Sequence, residues 1–319
     1  MSVPTLLVIA DPLGPHLGAL TRFASQVRLI VSNDPAKLGE AAPEADAILF
    51  AASPKLLSPV LPRARKARWI HCLWTGVEGI LTPEMLAHPA PLTNGRGVFR
   101  WPLADWVTAA MLHFAFDLSR VLRQQQAGVW EPFVSRRLEG KTLGIIGYGS
   151  IGSAAAARAR VFGMRVSALR RRAAFPDPLV DENYAPGQLT ELMASSDYVL
   201  AALPLTGETR GMIGAREIAA MKPEAVFINV GRGQAVDEPA LIQALEAGKL
   251  RGAALDVFAV EPLPAGHPFY KMNNVLVSPH TADRVEGFLG PAVDAFLENL
   301  HRFLEGKPLE NLVDKHAGY

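Results

Sequence analysis

The chain has 319 residues, 49% hydrophobic and 20% charged, with a formal net charge of +1. That length buries a full core and suggests two domains, the near-neutral balance argues against nucleic acid as a partner, and a single cysteine, Cys72, excludes an intrachain disulfide and a cysteine-based metal site. No apolar stretch approaches the roughly 18 residues of a membrane span, and Thr5 to Ala10 is too short for a signal core, so the chain reads as soluble and cytoplasmic. Along residues 1–98, the apolar runs Leu6 to Ala10, Val27 to Val31, Ala47 to Ala51 and Trp69 to Leu73 read as strands. Leu17 to Ala24, Pro35 to Ala42 and the proline-bearing stretch Pro54 to Lys66 lie between them as helical or loop segments. Strands alternating with helices imply parallel pairing in a flavodoxin-like α/β layer. Trp74 to Ile80 is a Gly-rich turn after a strand, where free amides near Thr75, Gly76 and Val77 could hold a substrate carboxylate or simply make a turn. Leu92 to Val98 reads as a further strand, and Pro102 to Leu122 as one long, apolar, buried helix with Pro102 in its first turn. Ala127 to Glu139 reads as an irregular arm. Cys72, inside an apolar run, is expected to be buried and inert.

Thr142 to Arg172 is the most informative stretch. Thr142 to Ile146 is an apolar run of strand length; Gly147, Gly149 and Gly152 form G-x-G-x-x-G; Ser153 to Phe162 is Ala-rich and helical; Arg165 to Leu169 is a second strand. This is one βαβ unit with a dinucleotide fingerprint. Gly147 suits a tight turn, Gly149 lets a diphosphate approach the backbone, and Gly152 lets helix and strand pack closely. The helix N-terminus favours the anionic pyrophosphate. An NAD site usually carries an acid about 20 residues beyond the glycines, on the ribose 2′-hydroxyl. Arg170, Arg171 and Arg172 stand there instead, and no acid occurs between Gly147 and Asp177. Guanidinium groups match a 2′-phosphate, so the stretch favours NADP(H) over NAD(H), although three arginines on a loop could also be merely solvated.

Beyond it, Pro176 to Gly187 reads as loop and Leu189 to Ala194 as a short helix. Strands are expected at Tyr198 to Ala202, Ala225 to Val230, Gly252 to Val257 and Val275 to Ser278, with helices at Ala215 to Met221 and Glu238 to Ala247. Glu286 to Phe303 closes the chain as an amphipathic helix. The expected fold class is α/β: two Rossmann-like or flavodoxin-like doubly wound parallel-sheet domains with a cleft between them. Residues 1–98 and 285–319 would form a discontinuous substrate domain around a dinucleotide-binding domain at 99–284. Arg232, Glu261 and His280 fall just past strands of the second domain, on the edge where open parallel sheets bind ligands. Singly, each could be a structural or solvated residue. No His and carboxylate spacing suggests a metal site.

In four blocks, GYGSIG (Gly147 to Gly152), NVGRGQAVDEPAL (Asn229 to Leu241), ALDVFAVEPLP (Ala254 to Pro264) and SPHTA (Ser278 to Ala282), the chain resembles the D-isomer-specific 2-hydroxyacid dehydrogenase family. The resemblance covers nearly the whole chain. It implies hydride transfer between a nicotinamide cofactor and a 2-keto acid, a homodimer, and catalytic roles for Arg232, Glu261 and His280. Such roles are chemically sensible: His280 as the acid, Glu261 to hold its protonated form, and Arg232 to grip the substrate carboxylate and polarise the keto oxygen. The resemblance also implies cofactor contacts from Ser150 and Ile151 at the pyrophosphate, from Leu203, Val230 and Gly231 beside the riboses, and from Asp256 at the nicotinamide carboxamide. The arginines resemble the NADP-using glyoxylate and hydroxypyruvate reductase branch. Ala259, where the family commonly has an acid, and Asp283, where it has glycine, depart from the pattern and bear on substrate preference. The competing reading is a dinucleotide-sensing binding protein, such as a corepressor, on the same fold; a methyltransferase with a glycine turn would leave Arg232, Glu261 and His280 unexplained together.

Overall fold

The computed structural model describes residues 3–171 and 176–319. They form two compact units, Met1–Val98 with Glu286–Tyr319, and Phe99–Val285.

The first unit holds β1 (Thr5–Ile9), β2 (Arg28–Ser32), β3 (Ala47–Phe50), β4 (Trp69–Cys72) and β5 (Leu92–Asn94) in one sheet of order β2-β1-β3-β4-β5. Every pair is parallel. Strands β1, β3 and β4 are buried end to end, which is why each reads as a continuous apolar run rather than an alternation. Proline opens each of the short helices α1 (Pro35–Ala41), α2 (Pro54–Leu57) and α3 (Pro83–Ala87); Asp34 caps the first and Thr82 the third. The closing helix, Leu289–Leu304, lays its apolar face on this unit. Trp69 stacks on Phe296 at 5.2 Å and meets Phe303 at 5.4 Å. Its indole N–H donates to Thr93 Oγ1 (2.8 Å), which also meets His71 Nδ1 (2.7 Å). Burial drives His71 down to about 3 and pushes the Cys72 thiol up to about 12, so both are neutral packing groups. The segment at Leu17, open between helix and loop in the sequence, is a 3-10 helix, Pro15–Phe23. One element differs from the sequence reading. The strand read as far as Val98 ends at Asn94, because a Cβ on Gly95 would lie 2.4 Å from the Leu73 carbonyl oxygen and Gly97 sits at φ +89°.

The second unit is a seven-stranded sheet: β6 (Thr142–Ile146), β7 (Arg165–Leu169), β8 (Glu182–Tyr184), β9 (Tyr198–Ala201), β10 (Val226–Asn229), β11 (Gly252–Leu255) and β12 (Val275–Val277). Its order, β12-β11-β10-β9-β6-β7-β8, is parallel throughout and reverses between β6 and β9. Among the described residues, six α-helices accompany it: α4 (Arg100–Ala115), α5 (Leu118–Ala127), α6 (Ser150–Val161), α7 (Leu189–Ser195), α8 (Ala215–Ala220) and α9 (Glu238–Glu246). The single helix expected over Pro102 to Leu122 is two. Asp117 takes a left-handed conformation, φ +47°, and its carboxylate caps the second helix at the Arg120 amide. Helix α4 buries Leu103, Val107, Met111 and Phe114 and packs against α6 and β10, while Trp101 near its start stays exposed. Strand β8 lies inside the stretch read as loop. Among the described residues, no helix is long and apolar enough to cross a membrane, and no group of three or more metal-ligating side chains converges.

Candidate active site

Parallel strands deliver their C-terminal ends to one edge, and the point where strand order reverses opens a crevice there. Gly147 follows β6 and Leu203 follows β9, the two strands flanking that reversal. Gly147 has φ +95°, and a Cβ on it would lie 2.7 Å from the Ala202 carbonyl oxygen, so only glycine makes this turn. A Cβ on Gly152 would lie 2.7 Å from the Gly147 oxygen, whereas a Cβ on Gly149 would meet nothing within 4 Å. The turn is therefore tight on its protein side and open above Gly149. Gly149 caps α6 with no side chain, which leaves the first-turn amides at Ser150, Ile151 and Gly152 to an anion. Gly231 packs against the Leu203 backbone; a Cβ there would lie 2.8 Å from both Leu203 N and O. Sequence-predicted Leu203, Val230 and Gly231 thus sit on adjoining loops after β9 and β10.

Arg232 follows in the same loop. Buried Asn229 holds it from both sides: its Nδ2 donates to the Arg232 carbonyl (3.2 Å) and its Oδ1 accepts from the Gly231 amide (3.0 Å). The Arg232 guanidinium donates through Nη1 to the Gly231 carbonyl at 2.7 Å. Glu261 lies past β11. Its Oε1 accepts from the Phe258 amide (2.9 Å), and its Oε2 meets His280 Nδ1 at 2.7 Å. Burial works to raise the Glu261 carboxyl, but the hydrogen bonds from His280 and Phe258 outweigh it and hold it below the usual range. His280 is raised above its ordinary value, first by that bond to Glu261, against the lowering effect of burial. The Arg232 charge acts on both groups.

His280 itself has φ +53°, a left-handed conformation that non-glycine residues rarely adopt. Asp256 enforces it. This carboxylate is 2% exposed, and its Oδ1 accepts from the amides of Thr281 (2.9 Å) and Ala282 (3.1 Å), while its carbonyl accepts from the His280 amide (2.9 Å). Asp256 therefore shapes the histidine turn, a task that a carboxamide contact would share through the other oxygen. With Nδ1 committed to Glu261, His280 Nε2 is the nitrogen left to serve a ligand. Asp283 is half-buried beside this turn, and burial raises its carboxyl above the usual range.

Arg170 and Arg171 stand where β7 ends; Arg172 lies outside the described residues. Arg171 pairs with Glu208 at 3.8 Å. Arg170 lies over Tyr148 of the glycine turn and pairs with Asp177. Tyr148, Asp177 and Asn229 escaped the sequence reading. Asp177 was visible there only as the end of an acid-free stretch, and nothing in its spacing shows that the chain turns it back toward Arg170. In the first unit, considered alone, the Thr75 hydroxyl donates to the Gly95 carbonyl (3.1 Å) and Asn94 Nδ2 to the Thr75 carbonyl (2.6 Å). The amides of Gly76 and Val77 take no part in backbone hydrogen bonds among the described residues.

Residues 108–282 match the family model described as D-isomer specific 2-hydroxyacid dehydrogenase, NAD binding domain. A glyoxylate reductase of Thermococcus gammatolerans is 34% identical over 285 residues, covering 86% of this chain and 84% of that protein. A D-isomer specific 2-hydroxyacid dehydrogenase of Xanthobacter autotrophicus, solved with NADPH and MES, superposes with a TM-score of 0.86 at 30% identity over the whole of both chains. An NADPH-dependent glyoxylate/hydroxypyruvate reductase of Sinorhizobium meliloti, solved with NADP and sulfate, superposes with a TM-score of 0.87 at 27% identity, over 99% of this chain and all of that one.

Proposed function

The chain belongs to the D-isomer specific 2-hydroxyacid dehydrogenase family, and from that premise we propose that it is an NADPH-dependent reductase of small 2-keto acids, glyoxylate and hydroxypyruvate among them. It is an oxidoreductase of the 2-keto acid reductase type, with a nicotinamide-dinucleotide-binding domain in its second unit. The observation that carries the reading is the 2.7 Å contact of His280 with Glu261, within the influence of Arg232.

The residues fit the cofactor. The open space above Gly149 and the uncapped amides of Ser150, Ile151 and Gly152 suit a diphosphate. Leu203, Val230 and Gly231 would border its riboses, and Asp256 would meet its carboxamide. Arg170, whose buried Nε and Nη2 have no hydrogen-bond partner among the described residues, suits a 2′-phosphate, with Arg171 beside it. The chemistry such a cofactor supplies is a hydride for the carbonyl carbon of the keto acid. His280, protonated, gives its Nε2 proton to the carbonyl oxygen and is left as neutral imidazole; the product is the 2-hydroxy acid. Glu261 stabilises the imidazolium and fixes the ring through Nδ1. Arg232 holds the substrate carboxylate and favours negative charge on the reacting oxygen. Considered separately, the Thr75, Gly76 and Val77 turn of the first unit has amides of a kind that suits a carboxylate.

We also infer a homodimer, built on a second copy of this chain. On α5 and the arm that follows, Leu122 is 54%, Val129 50%, Trp130 95% and Val134 95% exposed, and an apolar surface of this kind marks an interaction site.

The test is steady-state reduction of a keto-acid panel with NADPH and NADH, by wild type and Arg170→Ala. A preference for NADPH that falls roughly 10- to 100-fold in the variant supports the reading, a loss on the scale of hydrogen bonds to a charged group. Turnover with no panel member, or equal use of both cofactors unchanged by the variant, would overturn it.

A further inference from the structure

Arg170 is already engaged by an anion of its own chain. Its guanidinium lies over the Tyr148 ring, with Cζ 4.1 Å from the ring centroid. Its Nη2 is 3.5 Å from Asp177 Oδ2, and that same oxygen accepts the Tyr148 hydroxyl at 3.0 Å. The other Asp177 oxygen accepts the Leu179 amide at 3.0 Å. The Leu179 bond, with Tyr148 and Arg170 behind it, holds the Asp177 carboxyl below its ordinary range; burial, then Asp177, pushes the Tyr148 hydroxyl up. Near neutral pH the group is thus a carboxylate, a neutral phenol and a guanidinium. It stands where β6 and β7 end side by side: Ile146 pairs with Leu169, and the Gly147 amide reaches the Leu169 carbonyl at 3.4 Å.

The ion pair neutralises Arg170 without satisfying it. At 17% side-chain exposure, its Nε and Nη2 have no hydrogen-bond partner among the described residues. A phosphate presents three acceptor oxygens where this carboxylate presents one, already shared with Tyr148. We propose that Asp177 is a specificity-determining residue of the dinucleotide site, an internal competitor that holds Arg170 through its own carboxylate and must yield when a ribose 2′-phosphate arrives. Tyr148 is its positioning residue, steering the carboxylate with its hydroxyl and the guanidinium with its ring. A ribose 2′-hydroxyl makes no such demand and can donate to the same carboxylate. Asp177 therefore narrows the margin by which this chain prefers NADPH to NADH. The proposal rests on the reading of Arg170 as the 2′-phosphate residue.

The experiment is direct nucleotide titration, by intrinsic or nucleotide fluorescence, of NADPH and NADH on wild type, Asp177→Asn, Tyr148→Phe, Arg170→Ala and the Arg170→Ala/Asp177→Asn double variant. Asp177→Asn keeps one acceptor, for the Leu179 amide, turns an NH2 donor toward the Tyr148 hydroxyl oxygen, which can accept it, and removes the charge. It should tighten NADPH roughly fivefold, the upper range for a partly exposed ion pair, and leave NADH unchanged or weaker. Tyr148→Phe should shift the NADPH to NADH ratio in the same direction by less. In the Arg170→Ala background Asp177→Asn should not tighten NADPH. If Arg170→Ala weakens NADPH but Asp177→Asn leaves the ratio unchanged, the competitor role is wrong and the reading of Arg170 stands. If Arg170→Ala leaves NADPH binding intact, both fall. Should Asp177→Asn fail to fold, the ratio measured for Tyr148→Phe decides the matter alone.

Discussion

At His280 a strained backbone and a charged partner meet: φ is +53° and Glu261 is 2.7 Å from Nδ1. The raised value of His280 keeps the acid protonated further into neutral pH, so reduction should persist upward until that proton is lost. Glu261→Gln removes the charge that holds it. The basic limb of kcat/KM for reduction should then move to lower pH, and above the shifted limb the loss should approach the roughly 10²- to 10⁴-fold worth of a general acid. NADPH affinity by titration should not change; a basic limb that stays in place would sink the assignment. Stability carries the same linkage. The His280 contribution is full below the unfolded imidazole value, about 6.5, and fades as pH rises through the higher folded value. The Glu261 contribution is present above the unfolded carboxyl value, about 4.3, and is lost as pH falls through the lower folded value. The pair stabilises most between those limits, and modestly, since the side chains are 47% and 35% exposed. The order Arg232, Glu261, His280 was legible because each follows a strand that is itself an apolar run. The Tyr148–Arg170–Asp177 group was not, because it depends on a loop return that no periodicity encodes.

Elements that the sequence reveals are those whose burial writes a pattern. Strands β6 and β7 read directly at Thr142–Ile146 and Arg165–Leu169, since nearly every side chain in them is buried. Strand β8, Glu182–Tyr184, is a short polar edge with its first two residues exposed, and such an edge leaves no apolar signal. The junction of α4 and α5 is silent for another reason: neither glycine nor proline marks it. Asp117 supplies both the left-handed turn and the cap for the next helix. Asp117→Ala loses the cap and keeps the strain, and should destabilise the chain by about 1–2 kcal/mol in urea unfolding. Asp117→Gly loses the cap but relieves the strain, and should cost less. Equal losses would show that the left-handed residue contributes no strain.

For the molecule as a whole, composition and strand alternation sufficed for two parallel α/β sheets, because buried parallel strands are the most apolar runs in the chain. What covers each sheet was less legible. Helix α4 buries Leu103, Val107, Met111 and Phe114 inside its own unit and leaves Trp101 exposed, and further outward apolar surface belongs to α5 and the arm. Replacing Trp130 and Val134 together with glutamate should convert a dimer to a monomer in sedimentation velocity at micromolar concentration; a wild type that sediments as a monomer would refute the dimer. The first unit has one more property of note. Trp69 lies in its fourth strand, yet the rings that cover it, Phe296 and Phe303, belong to the closing helix more than two hundred residues later, and Thr93 bridges to Leu312 beyond that. On a ribosome, where domains generally form in the order they emerge, this chain must run that order backwards. The dinucleotide unit is complete in sequence while the opening sheet still waits, with Trp69 lacking its ring partners, for the closing helix to be made.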